Sequence, residues 1–192
     1  MSLGLCGPHR TGKTTLAQAL ASRTGRPFVP TNVSAVFAEC GIDPAAPIDF
    51  QTRLRIQNQI LDSCEKVWQT DRAPFITDRT PIDLMAYTLG DIQGTTNVNF
   101  TELESYMHNC FEVTNKNFDA LIILQPGIPL IKEGGKAALN SAYIEHLNSL
   151  IIGLCNDERL NCGVLKIKRE MTDLGERVQK ILGAGLDVRV LP

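Results

Sequence analysis

The hydrophobic and polar positions along the chain follow two alternating periods. Short, nearly continuous apolar runs read as buried strands, and longer stretches with apolar residues three and four apart read as amphipathic helices. Ser2-Leu3-Gly4-Leu5-Cys6 is the first such run, and Thr14 to Arg23 follows as a helix with Leu16, Ala17 and Leu20 on one face. Arg26-Pro27-Phe28-Val29-Pro30 is a brief extended piece, and Ser34 is placed to cap a short helix through Cys40. A long helix then runs from Ile48 or Asp49 to about Trp68, with Leu54, Ile56, Ile60, Leu61, Cys64 and Trp68 inward and Arg53, Arg55, Gln57 and Gln59 on other faces. Ala73 to Thr77 reads as a strand, and Pro81 opens a helix carrying Leu84, Met85, Tyr87 and Leu89. Thr101 is placed to cap a helix from Glu102 to about Asn117, with Glu104 completing a capping box. Asp119 to Leu124 is the clearest buried strand. A helix from Ser141 to about Cys155, a strand from Gly163 to Ile167 and a helix from Asp173 to Leu182, capped by Thr172 with Glu176 placed for a box, complete the regular pattern. Leu186 to Leu191 is read as a terminal extended strand. Strands alternating with helices predict an α/β fold, an open parallel sheet covered on both faces. In such folds ligands bind at the carboxyl ends of the strands. A length of 192 residues fits one domain.

The chemistry starts at the first strand-to-helix junction. Gly7-Pro8-His9-Arg10-Thr11-Gly12-Lys13-Thr14 fits the phosphate-binding pattern G-x-x-x-x-G-K-[ST] at every fixed position. From average composition, an unrelated chain of this length would carry that pattern about once in a hundred times. The order of strand, loop and helix is the one the motif requires. Backbone amides of Gly7, His9, Arg10, Thr11, Gly12 and Thr15, at or beside a helix N-terminus, then surround the phosphates of a nucleotide. Lys13 reaches the outer phosphates, and the Thr14 hydroxyl ligates magnesium.

Phosphoryl transfer also needs an acid near the metal and cations around the moving group. Asp78, at the end of the predicted strand through Thr77, is placed to reach the same sheet edge, either to bind the magnesium shell or to accept the proton of the attacking group. Its other reading is a cap for the helix near Pro81. Arg79 beside it suits a bidentate contact to a substrate phosphate. Leu130 to Asn140 is a glycine-containing basic segment between strand and helix, and it reads as a flap that brings Lys132 and Lys136 down on the phosphates. Arg53 and Gln57, one helical turn apart, share a face suited to the acceptor.

Composition narrows the partners. With 43% hydrophobic and 21% charged residues and a net charge of −2, the chain reads as an ordinary globular protein without a basic field for duplex nucleic acid. A local basic patch would still allow a nucleic-acid partner, which the overall charge disfavours. The six cysteines are scattered, without a C-x-x-C pair, which fits reduced thiols in a cytoplasmic protein. No apolar run approaches the roughly 18 to 20 residues of a membrane span, so no membrane partner is expected.

Cys6 to Leu16, then Thr77-Asp78-Arg79-Thr80-Pro81-Ile82-Asp83-Leu84-Met85-Ala86-Tyr87, then a flap before Ser141-Ala142-Tyr143-Ile144, resemble the small P-loop nucleoside and nucleotide kinases. The likeness is to the ATP-binding kinase-like proteins common in bacteriophage genomes and, more distantly, to thymidylate kinase. It implies a three-layer P-loop kinase fold with about five parallel strands, ATP as donor, magnesium as cofactor and, for a phage-encoded protein, the host cytoplasm. It also implies that Asp78 and Arg79 serve the metal and the acceptor nucleotide. Where such kinases often place arginine in the lid, this chain has Lys136, so the lid cation is open between Lys132, Lys136 and Arg10.

The leading expectation is transfer of the ATP γ-phosphoryl group to a deoxynucleoside monophosphate, because Arg79 with Arg53 would pair with a phosphate already on the acceptor. The alternatives are a nucleoside kinase, or a kinase of hydroxymethylated pyrimidine, free or in DNA. An ATP-hydrolysing switch is a rival of another class, but it would call for glutamate where Arg79 follows Asp78. The helix from Arg53 to Trp68 and the terminal strand are the surfaces open to a homodimer.

Overall fold

Leu3–Cys6 (β1), Ile76–Thr77 (β2), Ala120–Leu124 (β3) and Gly163–Ile167 (β4) pair in parallel in the order β2-β1-β3-β4. The structure is a computed structural model and describes all residues except 32, 44–46, 71–72, 131–139 and 186–192. Seven helices connect the strands among the described residues: Lys13–Thr24 (α1), Val33–Glu39 (α2), Phe50–Thr70 (α3), Pro81–Gly90 (α4), Phe100–Asn117 (α5), Ser141–Cys155 (α6) and Leu174–Gly183 (α7).

The period of two along each strand separates the two faces of the sheet. Leu3 and Leu5 of β1 and Ala120, Ile122 and Leu124 of β3 pack with Leu16, Ala17 and Leu20 of α1 and Val178 and Ile181 of α7. Leu121 and Ile123 face the other way, into a larger cluster built from α2 to α6. With helices on both faces every residue of β3 is buried, which explains why its sequence is a continuous apolar run instead of an alternating one. Burying each such side chain is worth about 1.5–3 kcal/mol, so the sheet centre contributes heavily to stability. At the amino ends of the strands Trp68, Phe75 and Phe118 close the sheet edge, with the Trp68 and Phe118 rings 5.0 Å apart and edge-on. The carboxyl ends carry the polar loops.

The sheet departs from the expected five strands. Among the described residues it has four, and the fifth position is held by a single parallel bridge from Phe28 to Ile76. Val29 donates to the Ile76 carbonyl at 2.8 Å and Ile76 to the Pro27 carbonyl at 3.0 Å, but Pro27 and Pro30 bracket the segment and cannot extend the ladder. Three capping expectations also change. Asn99, not Thr101, caps α5 by accepting from the Glu102 amide, and Asp173, not Thr172, caps α7 by accepting from the Glu176 amide. Ser34 lies inside α2, which starts at Val33. In the first two cases an Asn or Asp side chain reaches the free amide three residues on, in the first turn of the helix. All six cysteines are free thiols. The terminal strand expected from Leu186 to Leu191 and the flap lysines Lys132 and Lys136 lie outside the described residues. No described helix is long and apolar enough to cross a membrane.

Candidate functional site

The loop from Gly7 to Gly12 leaves the buried end of β1 and turns directly into α1. Gly7 is required where it stands: its φ is +151°, and a Cβ there would lie 2.3 Å from the Leu124 carbonyl oxygen of β3. Gly12, at φ +83°, enters α1 without any side-chain cap, so the first amides of the helix are left for another acceptor. Arg10 is held at φ +67°, a left-handed conformation that costs a non-glycine residue about 1–2 kcal/mol and is concentrated at ligand-binding turns. The loop is braced from inside and outside. The buried Thr11 hydroxyl donates to the Pro8 carbonyl at 2.9 Å, while Arg177 of α7 donates through one terminal nitrogen to the Thr11 carbonyl at 2.8 Å and through Nε to the Met171 carbonyl at 2.6 Å.

Lys13 Nζ donates to the carbonyls of Gly7 at 2.6 Å and Pro8 at 2.8 Å. Burial holds its ammonium below the ordinary lysine value, Arg79 adds to that, and Asp83 and Asp78 oppose it. Such a partly desolvated cation gains by meeting a group of opposite charge.

Because β1 and β2 are parallel neighbours, with Leu3 opposite Ile76 and Gly4 opposite Thr77, the residues after both strands leave the same edge. This brings Thr14 and Asp78 together although 64 positions separate them: the Thr14 hydroxyl donates to Asp78 Oδ2 at 2.5 Å. Asp78 does not cap α4. Thr80 does, accepting from the Asp83 amide, while Asp83 Oδ2 accepts the Thr80 amide and hydroxyl, each at 2.8 Å. Asp83 Oδ1 accepts the Gly7 amide at 2.9 Å. Burial pushes the Asp83 carboxyl up, against the pull of Lys13 and Arg79. The Arg79 guanidinium lies over the Tyr87 ring, with Cζ 5.6 Å from its centre, and the Tyr87 hydroxyl meets His9 Nδ1 at 3.4 Å.

The acceptor-side residues read from the helix face separate. Arg53 Nε is paired with Asp91 Oδ2 at 2.8 Å, beside a cavity of about 620 Å³ between the start of α3 and the turn after α4. Gln57 does not line that cavity; it is buried, and its Oε1 has no hydrogen-bond partner among the described residues. Thr15 is exposed on α1. Three residues that structure the site carry no role in the sequence reading: Asp83, Asp91 and Arg177. Thr80-Pro81-Ile82-Asp83 carries the [ST]-x-x-[DE] signal of a helix start, which marks Asp83 as a capping residue but not its bond to Gly7. Nothing local signals the other two.

Thr14 and Asp78 offer a hydroxyl and a carboxylate oxygen within one hydrogen bond of each other. That donor set fits magnesium, which is held by one or two carboxylates together with waters and substrate phosphates. Among the described residues no cluster of three His, Cys, Asp or Glu side chains forms, so the set does not resemble an all-protein cage for another metal.

A phosphate-binding loop between β1 and α1, an acid and arginine at the end of the neighbouring strand and helices on both faces of a parallel sheet define a P-loop α/β protein. The chain belongs to the AAA domain family, whose model matches residues 4–148. No curated protein matches it by sequence. Among solved structures it is similar to deoxyadenosine kinase from M. mycoides with bound dCTP, with a TM-score of 0.67 at 16% identity over 98% of this chain and 100% of that one. The same kinase with bound dATP gives 0.60 at 16% identity, over 96% and 98%. The YorR protein from Bacillus subtilis, in complex with phosphorylated GDP, gives 0.54 at 11% identity, over 96% and 95%. At such identities the likeness establishes a shared fold, and function has to be argued from the site.

Proposed function

We propose that the protein is an ATP-dependent kinase that moves the γ-phosphoryl group to a nucleoside or nucleotide, with a deoxynucleoside monophosphate as the leading acceptor. The observation that carries this reading is the 2.5 Å bond between Thr14 and Asp78, which joins the phosphate loop to the strand-end acid and leaves Arg79 as the next residue. A threonine and a strand-end acid hold magnesium in nucleotide-hydrolysing P-loop proteins as well, so it is Arg79, standing where a glutamate would activate water, that favours transfer to an acceptor.

In this reading the amides from His9 to Thr15 hold the triphosphate, while the Gly7 amide stays on Asp83 Oδ1, and the half-buried His9 and Arg10 lie along the same loop. Lys13 moves from the Gly7 and Pro8 carbonyls to the outer phosphates and offsets charge as the γ-phosphoryl group leaves. Thr14 and Asp78 would hold magnesium, whose charge would offset that of the phosphates. Arg79 orients the acceptor, and Lys132 and Lys136 are proposed to add cations from the flap. The names of the similar kinase and of the YorR complex, which concern deoxyadenosine and phosphorylated GDP, agree with an acceptor of nucleoside type.

One observation favours a second reading, an unphosphorylated deoxynucleoside as acceptor. Arg53 is already neutralised by Asp91, so the pair of cations that argued for an acceptor phosphate is reduced to Arg79 on this side of the site. Arg79→Ala separates the two: a loss of about tenfold or more in kcat/KM confined to monophosphates supports the first reading, and equal losses for nucleosides and monophosphates support the second.

The metal assignment is checked by titration. Thr14→Ala and Asp78→Asn are each expected to raise the magnesium concentration for half-maximal transfer about tenfold, with a less than additive effect in the double variant. An unchanged magnesium requirement in both would remove the pair from the metal.

A further inference from the structure

Two side chains of α4 that the proposed chemistry does not use face the donor loop. Asp83 and Tyr87 are one helical turn apart and so project from one face of α4. Each has one contact on the loop and one on the segment from Asp78 to Thr80. Asp83 divides its oxygens, Oδ1 to the Gly7 amide and Oδ2 to the Thr80 amide and hydroxyl. Tyr87 divides its ring from its hydroxyl: the ring lies under Arg79, while the hydroxyl meets His9 Nδ1.

Neither arrangement is needed for a purely structural role. A capping box is complete with Oδ2 of Asp83 alone, so the bond from Oδ1 to a residue 76 positions away serves something else. Packing would need only the ring of Tyr87, not a hydroxyl aimed at the donor loop. The protonation states suit the contacts. Burial pushes the Tyr87 phenol up to about 12, so it keeps its proton to donate, and burial with Lys13 and Arg10 nearby lowers His9, so its ring is neutral and Nδ1 can accept. Asp83 is fully buried, and the three groups that hydrogen-bond it are all donors, as an ionised carboxylate requires.

We propose that Asp83 and Tyr87 are positioning residues that tie Arg79 to the phosphate loop, so that the loop holding the triphosphate also aligns the arginine that meets the acceptor. The inference rests on the kinase reading above. Its consequence is mechanical. Phosphoryl transfer depends on in-line placement of donor and acceptor, and a displacement of about one ångström costs up to roughly a hundredfold in rate, so a rigid tie between the two half-sites acts on turnover instead of binding.

The test uses the full chain with ATP, magnesium and whichever of the four common deoxynucleosides or their monophosphates the wild type phosphorylates fastest. Tyr87→Phe keeps the ring under Arg79 and removes the hydroxyl. It is expected to lower kcat about tenfold with both KM values within about twofold, and to add nothing to Arg79→Ala in the double variant. Wild-type kcat in Tyr87→Phe, or losses that simply add, overturns the proposal. Asp83→Asn gives a readout that needs no acceptor, because an amide can keep the Gly7 bond or the Thr80 bonds but not both. Binding of magnesium β,γ-imido-ATP, followed by calorimetry, is expected to weaken about tenfold, and unchanged affinity in the folded variant overturns the tie at Asp83. If Asp83→Asn does not fold, Tyr87→Phe decides alone. A wild type that phosphorylates none of the panel contradicts the kinase reading, and the tie then stands or falls on the imido-ATP result.

Discussion

Replacing Lys13 with alanine is expected to lower ATP-dependent phosphoryl transfer by about a thousandfold while leaving the fold intact. Catalysis of this reaction is mostly charge neutralisation, and removing one preorganised cation or donor at the developing charge costs about 10² to 10³ in rate. Lys13 is the best placed described cation for this role. Its ammonium sits on the Gly7 and Pro8 carbonyls at the start of the loop, below its ordinary pKa, and so gains from a phosphate partner. Its side chain belongs to neither hydrophobic cluster, so the melting temperature should change by only a few degrees. Turnover equal to the wild type in Lys13→Ala would remove the loop from the chemistry.

Gly7→Ala is expected to damage the protein itself. The added Cβ would lie 2.3 Å from the Leu124 oxygen, and Leu124 ends a fully buried strand paired with both β1 and β4. Neither backbone moves cheaply in so closely packed a sheet. The substitution also forces a side chain into φ +151°, and any shift of the peptide breaks the amide bond to Asp83. These terms together are about 3–5 kcal/mol, in the range of severe core substitutions. For a chain of this size that is a fall of about 10 °C in melting temperature, read by circular dichroism, together with loss of triphosphate binding. Gly94→Ala, where a Cβ meets nothing within 4 Å, is the control and should melt like the wild type. Equal melting of the two variants would contradict the close approach of the loop to β3.

Features fixed by local pattern are legible in the sequence, and those fixed by distant contacts are not. The phosphate loop, β3 and most helix boundaries follow from periodicity and a motif whose spacing is dictated by backbone geometry. The position of Asp78 at a strand end is also readable, because a strand followed by an acid and a proline is a local signal. Its 2.5 Å approach to Thr14 depends on β1 and β2 being neighbours, which no short stretch encodes. Arg53 and Gln57 show the same limit from the other side. Helical spacing places them on one face, but the ion pair of Arg53 with Asp91 and the burial of Gln57 give them different surroundings. Arg177 reaches the Thr11 carbonyl across 166 positions and reads locally as an ordinary helix residue, and Asp83 reaches Gly7 across 76 and reads locally only as a cap. The shortening of the Phe28 segment to a single bridge, by contrast, has a local cause, the two prolines around it.

The most direct test is a transfer assay on the purified protein with ATP, magnesium and a panel of deoxynucleosides, their monophosphates and single-stranded DNA, read by product mass. The expected result is a gain of one phosphoryl group, about 80 mass units by the chemistry of the group itself, on a free deoxynucleoside or its monophosphate, dependent on Lys13. ATP hydrolysis that proceeds at the same rate with every acceptor and phosphorylates none of them would contradict it.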